Sequence, residues 1–474
     1  MLFFPSAKRS RRLQLRISER RLLLVIGDIF ASVVSVWVAL YIWSRVGEYT
    51  FDLNFIGPRS YWFILLPLTW FFLATANDFY DVSIANNRIR SLQRLILITF
   101  QMMIVYVIVF FLAEPLSLPR LFVIYYGIAS FFLTGLIRLV NPALLGWTTA
   151  PRRVLIIGTD WTALTIIQTL KQESPLNYEI CGVIGKAEEK DLLLEDIPVI
   201  GTGSEILTLV RQHGVRELIV TSTGGLEGEL FQGVMDAYEI GLTILPMPIL
   251  YERLTGRVPV EHVNNNWAVV LPLSSEGISK AYEFLKRFFE LIITLLAFVC
   301  FLVLLPVIAL FIKLDSRGPI FYSQVRVGLN GRHFQIRKFR SMVENAEKET
   351  GAKFADKNDT RVTRVGRIMR KTRLDELPQL WNILRGDMSL IGPRPERPEH
   401  VQRLQKSIPF YRTRHIVRPG VTGWAQVRYH YGQNDQDSLM KLQFDLYYIR
   451  HRSLVLDMVI LLRTIGKVIK MSGQ

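Results

Sequence analysis

The sequence predicts three structural parts in one chain: a membrane α-helical bundle, an α/β Rossmann-like domain, and an α+β monotopic domain with a re-entrant membrane helix. Three observations lead there. Apolar runs flanked by cations fill the first third of the chain. Strand-like and helix-like segments then alternate over about 151–250. A further apolar run, interrupted by Pro306, opens a strongly basic C-terminal segment.

Composition narrows the function class. The chain has 474 residues, half of them hydrophobic, yet its formal net charge is +16. A soluble nucleic-acid binder has the charge without long apolar runs, so nucleic acid is not expected as a partner. A membrane protein with a charged cytoplasmic face combines both properties. Cys181 and Cys300 lie far apart, which excludes a disulfide framework and gives no zinc spacing. The scattered histidines read as ordinary surface or core residues.

A basic arm over 1–21 holds seven cations, Lys8, Arg9, Arg11, Arg12, Arg16, Arg20 and Arg21, and one acid. The apolar run from Leu22 to Trp43 is too long for a signal peptide, and no small-residue cleavage site follows it. Further runs near 60–76, 92–112 and 120–140 complete a predicted four-helix transmembrane domain over 22–150. Arg88, Arg90 and Arg94 lie between the second and third runs, and Arg152 and Arg153 follow the fourth. The positive-inside rule therefore places the amino terminus and everything after 150 in the cytoplasm. Asp28, near the cytoplasmic end of the first run, is read as snorkelling or pairing with another helix rather than as functional.

Over 151–272 the strand–helix alternation of "RRVLIIGTDWTALTIIQTLKQ" and its successors predicts a small parallel α/β domain. Its dinucleotide fingerprint is damaged. Gly158 and Ala163 fit, but Asp160 stands where a glycine would let a pyrophosphate approach. The alternatives are nucleotide binding or a fold kept for packing, dimerisation or regulation. Tyr282 and Lys286 have a dehydrogenase-like Tyr-x-x-x-Lys spacing, but they open an apolar run, so the spacing is read as chance.

The C-terminal domain is expected over 273–474. Its apolar run from Phe288 to Leu314 has basic segments on both sides. Crossing would export one of them, so a helix over 283–314 is expected to enter the bilayer, bend at Pro306 and return. A simple fifth span is the alternative. "IFYSQVRVGLNGRHFQIRKFRSM" predicts a β-hairpin turning at Asn330–Gly331, with Arg337, Lys338 and Arg340 at its exit. Arg364, Arg367 and Lys371 share one helical face and Val362, Val365 and Met369 another. That pattern suits a helix lying on lipid head groups or a cation wall for phosphates. Leu377, Leu380, Trp381 and Leu384 predict a helix over about 375–385, with Pro378 in its first turn. Asp375 and Glu376 would then sit at its amino terminus, either as simple caps or as working acids. An ionised Asp among phosphate-binding groups can attack phosphorus, and a neighbouring Glu can hold Mg²⁺. The amphipathic stretch "LVLDMVILLRTIGKVIK" is expected to lie on the membrane surface or to pack on the domain core.

"KFRSM", "DTRVTRVGRIMRKTRLDELPQLWNILRGDMSLIGPRP" and "RPGVTGWAQV" resemble the bacterial polyprenyl-phosphate sugar-1-phosphate transferases, closely over about 280–470. The resemblance implies transfer of a hexose-1-phosphate from a UDP-sugar to undecaprenyl phosphate. UMP is released and Mg²⁺ is the cofactor. The step would start exopolysaccharide, capsule or O-antigen repeat units. It makes Asp375 the nucleophile of a covalent phosphosugar intermediate and Glu376 the Mg²⁺ ligand. Lys338, Arg340, Arg370, Lys371 and Arg394 would bind substrate phosphates, with Asp387 and Asp445 as supporting acids. Membrane lipid and a second copy of the chain, as a homodimer, are the other implied partners. After "GWAQV" the chain departs from the pattern with Arg428, Tyr429 and His430, a segment that bears on sugar choice; glucose or galactose is expected. The rival readings are a nicotinamide-dependent sugar-nucleotide enzyme built on the Rossmann-like domain, and a non-catalytic membrane scaffold. Direct transfer with Asp375 as general base is a variant of the first reading.

Overall fold

The computed structural model describes residues 17–85, 87–112, 121–144, 151–175, 177–221, 226, 228–260, 280–343, 361–429 and 434–469. These fall into two units, 1–151 and 152–474. Most of the predicted basic arm, the 272/273 boundary and His430 lie outside the described residues.

The first unit is helical: α1 (Ile17–Val46), α2 (Leu53–Ile56), α3 (Trp62–Ala76), α4 (Val82–Ala85), α5 (Arg88–Leu112) and α6 (Phe122–Leu144). Among the described residues, four helices of the chain are long and apolar enough to cross a membrane: α1, α5, α6 and one helix of the second unit. The expected second span, α3, has 15 residues and an internal Pro67, short of the ~20 that a full crossing takes. Leucine, isoleucine and phenylalanine side chains face outward from α1, α5 and α6, as they must where lipid is the solvent. Polar contacts tie the inner faces together. Asp28 of α1 is fully buried and pairs with Arg138 of α6 at 2.7 Å. The guanidinium also lies 4.0 Å from the Phe79 ring centroid. Ser32 and the Tyr126 hydroxyl meet at 2.7 Å one turn further along α1. The pairing expected of Asp28 is therefore observed.

The second unit begins with β1 (Arg152–Ile157), α7 (Trp161–Glu173), β2 (Tyr178–Ile184), β3 (Leu193–Leu194), β4 (Ile197–Gly201), α8 (Ile206–His213), β5 (Glu217–Val220), α9 (Gly228–Glu239), β6 (Thr243–Pro246) and α10 (Met247–Thr255). The sheet order is β3-β4-β2-β1-β5-β6, parallel except for the short edge strand β3. Apolar residues fill both of its faces: Val154, Ile156 and Ile219 on one, Leu155, Ile157 and Leu218 on the other. At the turn after β1, Gly158 has φ 111°, and a Cβ there would lie 2.3 Å from the Thr221 hydroxyl oxygen. Asp160 caps α7, its carboxylate accepting from the Ala163 N–H at 3.3 Å. The helix start that would face a pyrophosphate thus carries its own anion.

The rest comprises α11 (Lys280–Asp315), β7 (Phe321–Val327), β8 (His333–Phe339), α12 (Arg364–Thr372), α13 (Gln379–Arg385), β9 (Ser389–Ile391), α14 (Pro398–Ser407), β10 (Gly420–Thr422), α15 (Trp424–Arg428), α16 (Asp435–Arg450) and α17 (Leu454–Ile469). The β7–β8 hairpin turns through Asn330 (φ 54°) and Gly331 (φ 76°), as the Asn-Gly pair predicts. Helix α11 runs unbroken through Pro306, so the helical break expected there is not found. Residues near both ends of α11 touch the same domain. Glu290 accepts from the Leu390 N–H at 3.2 Å, and Asp315 accepts from the Val365 N–H at 2.8 Å. Between them, Leu295, Leu296, Val303 and Leu310 are exposed. Tyr282 and Lys286 make polar contacts within the C-terminal domain. The Tyr282 hydroxyl donates to Asp457 at 2.9 Å and the Lys286 ammonium to the Ile391 carbonyl at 3.0 Å. Helix α17 packs on the domain core through Val459 and Ile460, while Leu454, Val455, Met458 and Ile465 face outward.

The chain between the two domains of this unit is part of the second core. Val258 and Val260 pack with Tyr411, Leu442 and Tyr448, and the Val258 N–H donates to the Gln443 carbonyl at 3.1 Å. Glu252 of α10 holds Arg450 at 2.7 Å and His451 at 2.9 Å. The Trp424 indole N–H donates to the Gly256 carbonyl at 3.0 Å.

Candidate active site

Two short elements deliver the adjacent acids. Helix α12, capped by the Thr363 hydroxyl, ends at Arg373 in the left-handed conformation. A 3-10 turn over Leu374–Glu376 follows, and α13 starts only after Pro378. This corrects the expected placement. The acids precede α13 by a separate turn, because Arg373 reverses the chain and Pro378 delays the next helix. Both acid side chains are buried.

Strand β8 supplies the facing wall. Ile336 and Phe339 enter the core beneath the turn, and Lys338 donates to Glu376 Oε1 at 2.9 Å. Asn382 of α13 registers strand and turn: its amide donates to the Gln335 carbonyl at 2.8 Å and accepts from the Arg337 N–H at 3.2 Å. Arg394 donates to the same Glu376 oxygen at 2.7 Å, while Arg373 lies 3.7 Å from Oε2. Arg394 follows β9, which pairs in parallel with β10. That pairing is so close that a Cβ on Gly420 would lie 2.1 Å from the Gly392 nitrogen. The "GPRP" and "RPGVTG" segments are thus one packed backbone unit presenting Arg394.

The electrostatics separate the two acids. Burial, together with the neighbouring Glu376 charge, pushes the Asp375 carboxyl up to about 6 against the pull of Lys338, Arg370 and Arg394. Burial would raise Glu376 as well, but Arg394 and Lys338, aided by Arg373, hold it well below the usual carboxylate range. One acid is held as an anion, and the other is a carboxyl of raised pKa among cations.

The remaining expected residues divide. Arg370 is oriented by the Ser341 hydroxyl at 2.9 Å and contributes to the field on Asp375. Arg340 turns to the end of α11, donating to the Ser316 carbonyl at 2.7 Å. Lys371 is exposed on the outer face of α12 beside Arg364 and Arg367. Asp387 closes the end of α13, 3.7 Å from Arg385. Asp445 is buried and pairs with Arg414 at 2.7 Å. Pattern reading missed Arg373, Asn382 and Arg414. The first was signalled by its place three residues before Glu376; the others have no local signal. Beside Arg394 a small pocket, partly open to solvent, is lined by Glu396, Arg414, Gln426, Tyr429, Lys441 and Asp445.

The acids could hold a divalent metal only in part. Among the described residues no cluster of three or more His, Cys, Asp or Glu exists. Two adjacent carboxylates nonetheless suit Mg²⁺, which commonly takes one or two carboxylates and completes its shell with water and substrate phosphate.

A family model described as bacterial sugar transferase matches residues 281–471, and one described as a CoA-binding domain matches 75–229. An Aeromonas hydrophila UDP-N-acetylgalactosamine-undecaprenyl-phosphate N-acetylgalactosaminephosphotransferase is 47% identical over 218 residues, 46% of this chain and 50% of that protein. A Xanthomonas campestris UDP-glucose:undecaprenyl-phosphate glucose-1-phosphate transferase is 32% identical over 67% of this chain and 66% of its own length. An Erwinia amylovora UDP-galactose-lipid carrier transferase is 37% identical over 68% of this chain and 69% of its own. The chain thus spans half the length of the first of these relatives and about two thirds of the others.

Proposed function

Because the chain belongs to the bacterial sugar transferase family, we propose that it transfers a sugar-1-phosphate from a UDP-sugar to undecaprenyl phosphate at the cytoplasmic face of the inner membrane. The observation that carries this reading is the buried Asp375–Glu376 pair among Lys338, Arg370, Arg373 and Arg394. Cations at this density are suited to diphosphate oxygens.

In the proposed reaction an Asp375 carboxylate oxygen attacks the β-phosphorus of the donor. The bond from the β-phosphorus to the bridging oxygen breaks, and UMP leaves with that oxygen. A phosphate oxygen of undecaprenyl phosphate then attacks the phosphorus of the acyl phosphate. Asp375 is released and a lipid-linked diphosphate sugar forms. Lys338, Arg370 and Arg394 orient the phosphates and offset the charge that accumulates on them. Glu376 with Asp375 would hold Mg²⁺, whose chemistry there is neutralisation of diphosphate charge.

Helix α11 supplies the lipid side of the reading. Contacts of Glu290 and Asp315 with one domain support a membrane helix whose two ends share a face. The cations around α11 and α12 favour the cytoplasmic face. The relatives are named for N-acetylgalactosamine, glucose and galactose, so the donor class is a UDP-hexose or UDP-N-acetylhexosamine.

The test is UMP release from a panel of these UDP-sugars, with Mg²⁺ and undecaprenyl phosphate, beside an Asp375→Asn control. Lipid-dependent release with one donor, lost in the variant, is expected. Absence of release with every donor from folded protein would overturn the reading.

A further inference from the structure

We propose that Arg414, clamped by Asp445 and Tyr411, is a positioning residue that aims Arg394 at Glu376; its effect on turnover rests on the transferase reading above. The contacts form a continuous chain. Arg414 Nη2 lies 2.7 Å from Asp445 Oδ2 and donates to the Arg394 backbone carbonyl at 3.1 Å. Its Nη1 donates to the Tyr411 hydroxyl at 2.7 Å and lies 3.8 Å from Glu396. Arg394 in turn donates to Glu376 at 2.7 Å.

The burial gradient along this chain gives it a direction. The side chains of Arg414 and Asp445 are 4% and 2% exposed, whereas that of Arg394 is 32% exposed. A guanidinium so deeply buried, with a carboxylate and a phenol as partners, has one orientation. An arginine with a third of its surface in solvent has many, and a long side chain carries about 2 kcal/mol of rotamer entropy. Fixing the Arg394 backbone from behind narrows the set of directions its side chain samples. Arg414 gathers partners from separate parts of the fold: the 3-10 turn over Tyr411–Ile416, helix α16 through Asp445, and the segment after β9 through the Arg394 carbonyl. A misplacement of about 1 Å in such a group costs on the order of a hundredfold in rate.

The experiment is a double-mutant cycle on UMP release with Arg394→Ala, Arg414→Lys and the pair, each checked by thermal melting. Lysine keeps the charge and loses the fork. Arg414→Lys should lower kcat/KM about 10- to 100-fold. The pair should lose no more than Arg394→Ala alone, because Arg414 acts through Arg394. Additive losses overturn the proposal. Should Arg414→Lys not fold, Tyr411→Phe takes its place in the cycle. A second readout is independent of turnover: the rate of phenylglyoxal modification at Arg394, resolved by peptide mass spectrometry. It should rise several-fold in Arg414→Lys and in Tyr411→Phe; an unchanged rate overturns the proposal. If the wild-type chain turns over no UDP-sugar, the transferase reading fails, and the labelling still decides whether Arg414 holds Arg394.

Discussion

Arg138 and Asp28 meet at 2.7 Å although 110 residues separate them in sequence, and both are buried within the helical unit. Removing one partner leaves an uncompensated buried charge, which costs about 3–5 kcal/mol. Arg138→Leu and Asp28→Leu should each lower the thermal midpoint of the detergent-solubilised protein by several degrees. The double variant should recover most of that loss. A double variant as unstable as the sum of the singles would show that the pair does not act as a unit.

The dyad predicts a graded response along one run of cations. Lys338→Ala should reduce UMP release by at least about a hundredfold, since it strips the fixed anion of a charge-assisted hydrogen bond and the phosphates of a cation. Lys371→Ala, on the outer face of α12, should change it by less than about threefold. Equal losses from both would mean that the exposed face of α12 also engages the donor. With a labelled donor, Asp375→Asn should yield no phosphosugar–protein adduct, whereas wild-type protein lacking the lipid acceptor should accumulate one.

His415 predicts a pH effect on stability that is separate from catalysis. Burial, with the adjacent Arg414 and Arg412 charges, pushes its imidazole down to about 4 from an ordinary 6.5. The unfolded chain therefore takes up a proton that the folded chain refuses as pH falls below 6.5. Stability is full above that pH and declines toward 4, by about 2 kcal/mol at pH 5. His415→Gln should flatten this part of the profile of melting temperature against pH. A slope identical to that of the wild type would refute the assignment.

Glu252 tests the joint between the α/β domain and the C-terminal domain. Its carboxylate serves Arg450 and His451 together. Glu252→Ala should cost about 1.5–3 kcal/mol, the value of a hydrogen bond to a charged group. Denaturant melts of the full chain should show the loss, with α16 fluctuating more in hydrogen exchange.

Much of this architecture is legible without coordinates. The β7–β8 hairpin follows from alternation around Asn330–Gly331, and the sheet from the strand–helix alternation after Arg152. The acids Asp375 and Glu376 and the cations Lys338 and Arg394 also converge as their motifs imply. Local pattern failed where the backbone made an unadvertised choice. Arg373 adopts φ 58°, a conformation its residue type does not signal, and the 3-10 turn that follows it delays the helix expected from about 375 until Gln379. It failed again where a side chain's direction depends on remote packing. Arg340 and Lys338 stand two residues apart, yet the end of α11 captures one and Glu376 the other. Arg414 was invisible for the same reason, since its partners at 394, 411 and 445 become neighbours only in three dimensions.

The hydrogen bond from the Val258 N–H to the Gln443 carbonyl of α16 bears on where the C-terminal domain begins. Val258 and Val260 lie upstream of residue 281, where the sugar-transferase match begins, yet they belong to the C-terminal core. The folded C-terminal core is therefore longer than the stretch the family model matches. A recombination event that exchanged the upstream domain at residue 281 would carry away two buried valines and leave a hydrophobic slot open. Exchanges that cut before α10, or that bring a compatible replacement for 247–260, keep that slot filled.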